Sequence, residues 1–153
     1  MSGKSPQRAA PKSAPPSKKP AKRKQPESFR GRAMMAALTV KDLPRSVAWY
    51  RDTLGFTEGN HYNNAGKLFA VEMKAGAVEF VLNQDDGAHG LDRVKGEGLS
   101  LQIVTAQNVD ALAANAVANG ATLITPPTTM PWGARVFRVK DPDGFKLVIS
   151  SER

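Results

Sequence analysis

The chain has 153 residues, which supports one ordinary domain with a buried core. It contains no apolar run near the roughly 18 residues that a transmembrane helix needs, and its basic N-terminus lacks the apolar stretch of a secretory signal. With no cysteine it can form neither a disulfide nor a thiolate metal site, so cysteine gives no clue to the compartment and the cytoplasm is the default expectation.

The net charge of +8 is concentrated at one end of the chain. Residues 1–32 contain ten Lys and Arg against the single acid Glu27, whereas the remainder contains twelve against thirteen. Residues 1–26 are rich in Pro, Ser, Ala and Lys, lack apolar periodicity and are predicted to be disordered. Three interpretations of this tail are open. It is a solubilising extension, or it contacts nucleic acid or another polyanion, or its start codon is misassigned and the true start is Met34 or Met35.

The predicted domain, residues 27–153, opens with a βαβββ pattern over about residues 34–83. A strand at 34–40 precedes a helix that has Asp42 as its N-cap and Gly55 as its left-handed stop. One apolar stripe runs along this helix: Leu43, Val47, Tyr50 and Leu54. Three further strands are predicted, at residues 55–59, 67–73 and 77–83.

A polar, Gly-rich loop at residues 84–98 precedes a second copy of the pattern over about residues 99–151. Asn108 caps its helix and Gly120 ends it. Four strands are predicted, at residues 99–105, 121–125, 135–139 and 145–150. The end of the first strand and the glycine that stops the helix are fifteen residues apart in both halves, Val40 to Gly55 and Thr105 to Gly120. The two halves therefore superpose at an offset of sixty-five residues, which indicates an internal duplication. The last two strands form a hairpin through the turn Asp141-Pro142-Asp143-Gly144.

Three segments resemble the vicinal oxygen chelate superfamily of glyoxalase I, bleomycin-resistance proteins, fosfomycin-resistance enzymes and extradiol dioxygenases: LTVKDLPRSVAWYRDTLGF, GAVEFVLNQ and PWGARVFRVKDPDGFKLVIS. The resemblance covers residues 34–151. It implies an α+β fold in which two tandem βαβββ modules form a curved mixed sheet, with helices on the convex side and a ligand cavity on the concave side. It also implies a homodimer, because small members usually dimerise.

The metalloenzymes of this superfamily hold a divalent metal with four side chains, one from each of four strands, each His, Gln or Glu. In this chain the corresponding positions are occupied by Met35, Glu79, Leu101 and Val148. Only Glu79 is a ligand type, since Met is a poor ligand for these metals and Leu and Val cannot ligate. Gln102 is assigned to the opposite strand face from Leu101, and both histidines, His61 and His89, are assigned to solvated loops. We therefore expect no metal, no cofactor and no catalytic residue.

Period-two alternation assigns a mostly apolar set of side chains to the cavity. The set is Met35, Ala37, Thr39, Ala77, Glu79, Val81, Asn83, Leu99, Leu101, Ile103, Lys146, Val148 and Ser150. Glu79 would attract a cationic or hydrogen-bond-donating ligand, or pair with Lys146 or Arg135. Trp132 and Arg135 are further candidates, because a loop Trp can stack on a ligand and Arg can bind an anion bidentately.

The leading hypothesis is a metal-independent binding protein that resembles the bleomycin-resistance proteins and holds an amphipathic or aromatic small molecule, with no membrane partner. Its expected ligand-binding residues are Glu79, Trp132, Arg135, Met35, Thr39, Leu101 and Val148. Two alternatives remain: a glyoxalase-like lyase or isomerase with a non-standard site, and a nucleic-acid-associated protein acting through residues 1–26.

Overall fold

A computed structural model describes residues 2–3, 5–6, 9–19 and 29–152. The chain divides into two units, Met1–Arg32 and Ala33–Arg153. The described residues of the first unit are exposed and form no helix or strand. The disorder predicted for residues 1–26 falls partly outside the described residues and stays a prediction. No helix in the described part of the chain is long and apolar enough to cross a membrane.

The first half of the second unit is a four-stranded sheet with one helix. Its elements are β1 Ala37–Val40, α1 Leu43–Leu54, β2 Thr57–Asn64, β3 Lys67–Ala75 and β4 Val78–Gln84. The strand order is β1-β4-β3-β2, with β1 parallel to β4 and the other pairs antiparallel. β2 is longer than predicted, so His61 lies in a strand, where its Nε2 is 2.8 Å from Oε2 of Glu58. The loop assignment of His61 was wrong because HYNN lacks apolar alternation.

The second half repeats this topology. Its elements are β5 Ser100–Thr105, α2 Val109–Ala118, β6 Leu123–Thr129, β7 Arg135–Lys140 and β8 Lys146–Ser151. The order β5-β8-β7-β6, with β5 parallel to β8, matches the first sheet strand for strand and confirms the tandem βαβββ fold. β6 runs past its predicted end through Pro126 and Pro127, which an edge strand tolerates because one side of its backbone needs no donor.

The helix boundaries follow from local capping chemistry. The side chain of Asp42 accepts a hydrogen bond from the backbone N–H of Arg45, and Gly55 ends α1 in the left-handed conformation with φ of 77°. Asn108 caps α2 in the same way, accepting from the N–H of Ala111. Each cap satisfies a donor that the first helical turn leaves free, so the predicted helix starts are confirmed.

Both modules contribute to one hydrophobic core, which lies between their helix-bearing faces. From the strands and helices of both halves the core includes Leu38, Val40, Tyr50, Phe80, Leu82, Ala113, Phe137, Val139, Leu147 and Ile149. Alternate residues of each strand point to the opposite side of its sheet, which we call the open face of that sheet. The two open faces are therefore turned away from the shared core.

A buried ion cluster fastens the inter-module linker, residues 85–99, to the turn of the last hairpin. Nζ of Lys95 lies 2.8 Å from Oδ2 of Asp85 and 3.5 Å from Oδ1 of Asp143, and the Lys95 side chain is only 6% exposed. The lysine is the main cause that lowers the pKa of Asp85 to about 2. Next to it, a Cβ on Gly96 would lie 2.8 Å from the carbonyl oxygen of Gly144, so only glycine fits this crossing.

Candidate functional site

The open face of the first sheet carries several of the residues expected at the cavity. Ala37 and Thr39 of β1 pair with Val81 and Asn83 of β4, and all four point away from the core. Met35 precedes β1 and is 48% exposed. This face combines small and aliphatic side chains with the polar groups of Thr39 and Asn83.

Two carboxylates share a lysine on this face. Nζ of Lys74 lies 3.7 Å from Oε1 of Glu72 and 3.9 Å from Oε2 of Glu79. Glu72 is buried and accepts a 3.1 Å hydrogen bond from the N–H of Asn60, which is the main cause of its lowered pKa. The partner of Glu79 is thus Lys74, and neither Lys146 nor Arg135 as expected.

Glu72 was missed by the sequence reasoning, although a signal existed. The turn at residues 76–77 sets Lys74 directly opposite Glu79, and alternation then assigns Glu72 to the same face. Of the two strands in this hairpin, only β4 was sorted into faces. Sorting both strands of the hairpin would have found the second carboxylate.

On the second sheet, the assignment of Leu101 to the cavity is wrong. Leu101 pairs with the fully buried Leu147 and packs against the core, so it points to the helix-bearing side. The neighbouring side chain, Gln102, pairs with Val148 and takes the open face instead. Residues 99, 101 and 103 are apolar whereas Ser100 and Gln102 are polar, so alternation separates the two faces of β5, but the apolar one was assigned to the cavity because Leu101 falls at the family's ligand position.

The open face of the second sheet is strongly basic. Lys140 of β7 lies opposite Lys146 of β8, and Arg138 lies opposite Val148. On the other side of β8, Gln102 of β5 is the register partner of Val148. Val148 is therefore on the open face, flanked by an amide and a guanidinium, and the expectation of a mostly apolar face is wrong for this half.

Arg135 does not reach either open face. Its guanidinium binds the carboxylate of Asp110 in α2 with two hydrogen bonds of 2.7 and 3.0 Å. The arginine lowers the pKa of Asp110, and the aspartate raises that of Arg135. The bidentate contact predicted for a ligand anion is thus made within the chain, on the helix-bearing side. Trp132, in the turn before β7, is 57% exposed.

The side chains present do not fit the four-ligand metal site of the superfamily's enzymes. With Gln102 replacing Leu101, the four positions are Met35, Glu79, Gln102 and Val148. Valine offers no donor atom and a thioether suits hard cations poorly, which leaves Glu79 and Gln102, and within one copy these two lie on different open faces. Within the described residues no three His, Asp or Glu side chains cluster in a way that could hold a metal.

A separate cleft of about 980 Å³ lies on the helix-bearing side. It is bounded by the end of α1, the β3–β4 turn, β5 and α2, and Leu112 and Phe137 contribute to its apolar floor. Asn115, Asn119 and Gln107 supply amides at its rim. This cleft is a second location where a small molecule would find apolar surface, and it is distinct from both open faces.

The family model described as Glyoxalase/Bleomycin resistance protein/Dioxygenase superfamily matches residues 32–149. Among solved structures, the chain is similar to TioX from Micromonospora sp. ML1, with 21% identity, a TM-score of 0.62, and coverage of 80% of this chain and 97% of that one. It is also similar to a superfamily member from Sphaerobacter thermophilus DSM 20745, with 22% identity, a TM-score of 0.58, and coverage of 78% and 98%. A protein of unknown function from Agrobacterium tumefaciens str. C58 is 26% identical, with a TM-score of 0.62 and coverage of 82% and 98%. Comparison with curated proteins gives no match.

Proposed function

The chain belongs to the glyoxalase/bleomycin resistance protein/dioxygenase superfamily, and we propose that it binds an amphipathic or aromatic small molecule without a metal. One observation carries the proposal: Val148, at a position where a metalloenzyme of the family would need a ligand, lies on an open face between Gln102 and Arg138. An isopropyl group between two hydrogen-bonding side chains offers apolar contact and orientation, and neither a Lewis acid nor a base.

We further propose that two copies of the chain together form the cavity, as in a bleomycin-resistance-like homodimer. Within one copy the open faces are turned away from the shared core, so a cavity bounded by both faces needs a second molecule. β1 and β5 are edge strands, each paired on one side only, and such edges readily accept another strand. Val104 on β5, 56% exposed, adds apolar area beside that edge.

Thermal-shift measurements with a panel of metabolites and antibiotics test the binding proposal. Val148→Trp fills the open face, whereas Leu112→Trp fills the cleft between the helices. A compound that raises the melting temperature of the wild type should lose its effect in the first variant and keep it in the second. The proposal fails if no organic compound shifts the melting temperature while Ni²⁺ or Zn²⁺ does.

Light scattering at several concentrations checks the homodimer, and a monomer at all concentrations would contradict it.

For the tail, the density of positive charge in residues 1–32 favours a weak polyanion contact as a secondary role. A gel shift with duplex DNA that weakens steeply with salt, and is lost on deletion of residues 1–26, would support it. The cytoplasmic location expected above is part of the same proposal, and fractionation of cells producing the full chain checks it.

A further inference from the structure

Three basic side chains on the open face of the second sheet have no partner within the described residues. Residues 33–152 contain eleven Lys and Arg, of which six form ion pairs. The other five are Arg45, Lys67, Arg138, Lys140 and Lys146. Three of these five share one sheet face, although residues 33–153 as a whole carry one more acid than base.

This arrangement costs stability in the free protein. Lys140 and Lys146 are direct cross-strand partners, and like charges directly opposite each other destabilise a sheet. Arg138 is the diagonal neighbour of Lys146, so its positive charge adds to the repulsion. No register partner of these residues in β5 or β8 is acidic. An anion from outside the chain would relieve the repulsion.

The side chains around Arg138, Lys140 and Lys146, which we call the patch, indicate the chemistry of the rest of the ligand. Ser100 and Gln102, the β5 partners of Lys146 and Val148, present a hydroxyl and an amide beside the cations. Val148 lies between Gln102 and Arg138 and supplies apolar surface to the same face. It is half-buried, as are Arg138 and Lys146. The face therefore offers charge-assisted hydrogen bonds next to an apolar contact.

We propose that the ligand carries an anionic group, a carboxylate, sulfonate or phosphate, that binds Arg138, Lys140 and Lys146 while its apolar body contacts Val148. This inference rests on the proposed binding function and names the chemical class of its ligand. The open face of a second copy is a poorer occupant, because Lys74 already pairs with both of that face's carboxylates. A nucleic acid is also a poorer occupant, because two of the three cations are half-buried and a phosphate backbone reaches exposed lysines such as Lys18 more easily.

The test uses two fluorescent probes that share one ring system. 1-Anilinonaphthalene-8-sulfonate carries an anion, and N-phenyl-1-naphthylamine is its neutral counterpart. The full chain should bind the sulfonate about tenfold more tightly than the amine, which is the effect of one charge-assisted contact. Arg138→Gln and Lys146→Gln should each weaken sulfonate binding about fivefold to tenfold and leave amine binding unchanged.

Arg45→Gln and Lys67→Gln are matched controls, since they remove exposed and unpaired cations elsewhere. They should change neither affinity. The patch variants should melt no lower than the wild type, because they remove repulsion, so a loss of binding would not reflect unfolding. Competition by benzoate and by phenyl phosphate identifies whether a carboxylate or a phosphate is preferred, and displacement by either supports the inference.

The possible failures are distinguishable. Equal affinity for the two probes, unaffected by Arg138→Gln and Lys146→Gln, would overturn the anionic ligand and leave the binding function standing. Absence of binding by both probes and by the whole compound panel would overturn both proposals. Displacement of the sulfonate by a 20-base-pair DNA duplex but by neither small anion would overturn the inference in favour of a nucleic acid.

Discussion

The phenol hydroxyl of Tyr50 in α1 donates a 2.8 Å hydrogen bond to Oδ2 of Asp141, 91 residues further along the chain. Both side chains are buried, and Oδ1 of the same aspartate accepts the backbone N–H groups of Asp143 and Phe145. One carboxylate thus shapes the turn of the last hairpin and ties it to the first helix. Burial is the main cause that raises the pKa of both Asp141 and Tyr50.

Tyr50→Phe should lower the free energy of unfolding by about 1–3 kcal/mol, because it leaves a buried carboxylate oxygen without its donor. Urea unfolding followed by fluorescence measures the change. Tyr62→Phe is the matched control, since this tyrosine is 41% exposed and its substitution should cost less than about 0.5 kcal/mol. Equal effects of the two substitutions would show that the hydroxyl of Tyr50 contributes nothing specific.

Asp141→Asn should change the pH dependence of stability. Because the pKa of Asp141 is raised in the fold, its contribution is fully present below its unfolded pKa and is lost as pH rises through the folded value. The variant lacks this loss, so its stability deficit relative to the wild type should shrink between pH 4 and pH 8. Melting temperatures of both proteins across that range measure it. Parallel curves would contradict the raised pKa.

Lys95→Met should lower the free energy of unfolding by about 3 kcal/mol, because it removes one partner of a buried ion pair and leaves Asp85 under-compensated. The same substitution at Lys41, whose ion pair with Asp92 is exposed, should cost less than about 1 kcal/mol.

Since the pKa of Asp85 is lowered to about 2, the contribution of its ion pair is present above the unfolded pKa and is lost as pH falls through the folded one. Chemical unfolding of both variants at pH 7 and pH 3 should show a smaller difference at the lower pH.

What the sequence predicts well here is determined locally. Asp42 and Gly55 specify the ends of α1 through a side-chain acceptor and a left-handed φ, and neither depends on the rest of the fold. Sheet faces depend on non-local packing. Leu101 and Ile103 form one apolar row in β5, and only its pairing with the buried Leu147 shows that this row faces the helices and not a ligand cavity.

The basic face was missed for the same reason. Lys146 was correctly assigned opposite to the core in β8, but its significance depends on Lys140 and Arg138 in β7. The hairpin register that joins them follows from a five-residue turn, residues 141–145, and not from either strand alone. Likewise the bidentate contact of Arg135 with Asp110 joins a strand to a helix 25 residues earlier, which no local pattern indicates.

The metal-independent proposal predicts that the wild type binds neither Ni²⁺ nor Zn²⁺ stoichiometrically. Supplying the two missing ligand types, with Met35→His and Val148→Glu, should create a site together with Glu79 and Gln102. Since Glu79 and Gln102 lie on different open faces, we expect the new site only where two copies associate, with one metal for each pair of faces.

Calorimetry with the double variant, beside Val148→Glu alone as the control, measures the stoichiometry. The single variant should bind the metal more weakly, because without the imidazole at position 35 it has only three ligand-type side chains where the metalloenzymes of the superfamily use four. Stoichiometric metal on the wild type would overturn the proposal, and metal on the double variant would show that the missing donors, rather than the fold, separate this chain from its metalloenzyme relatives.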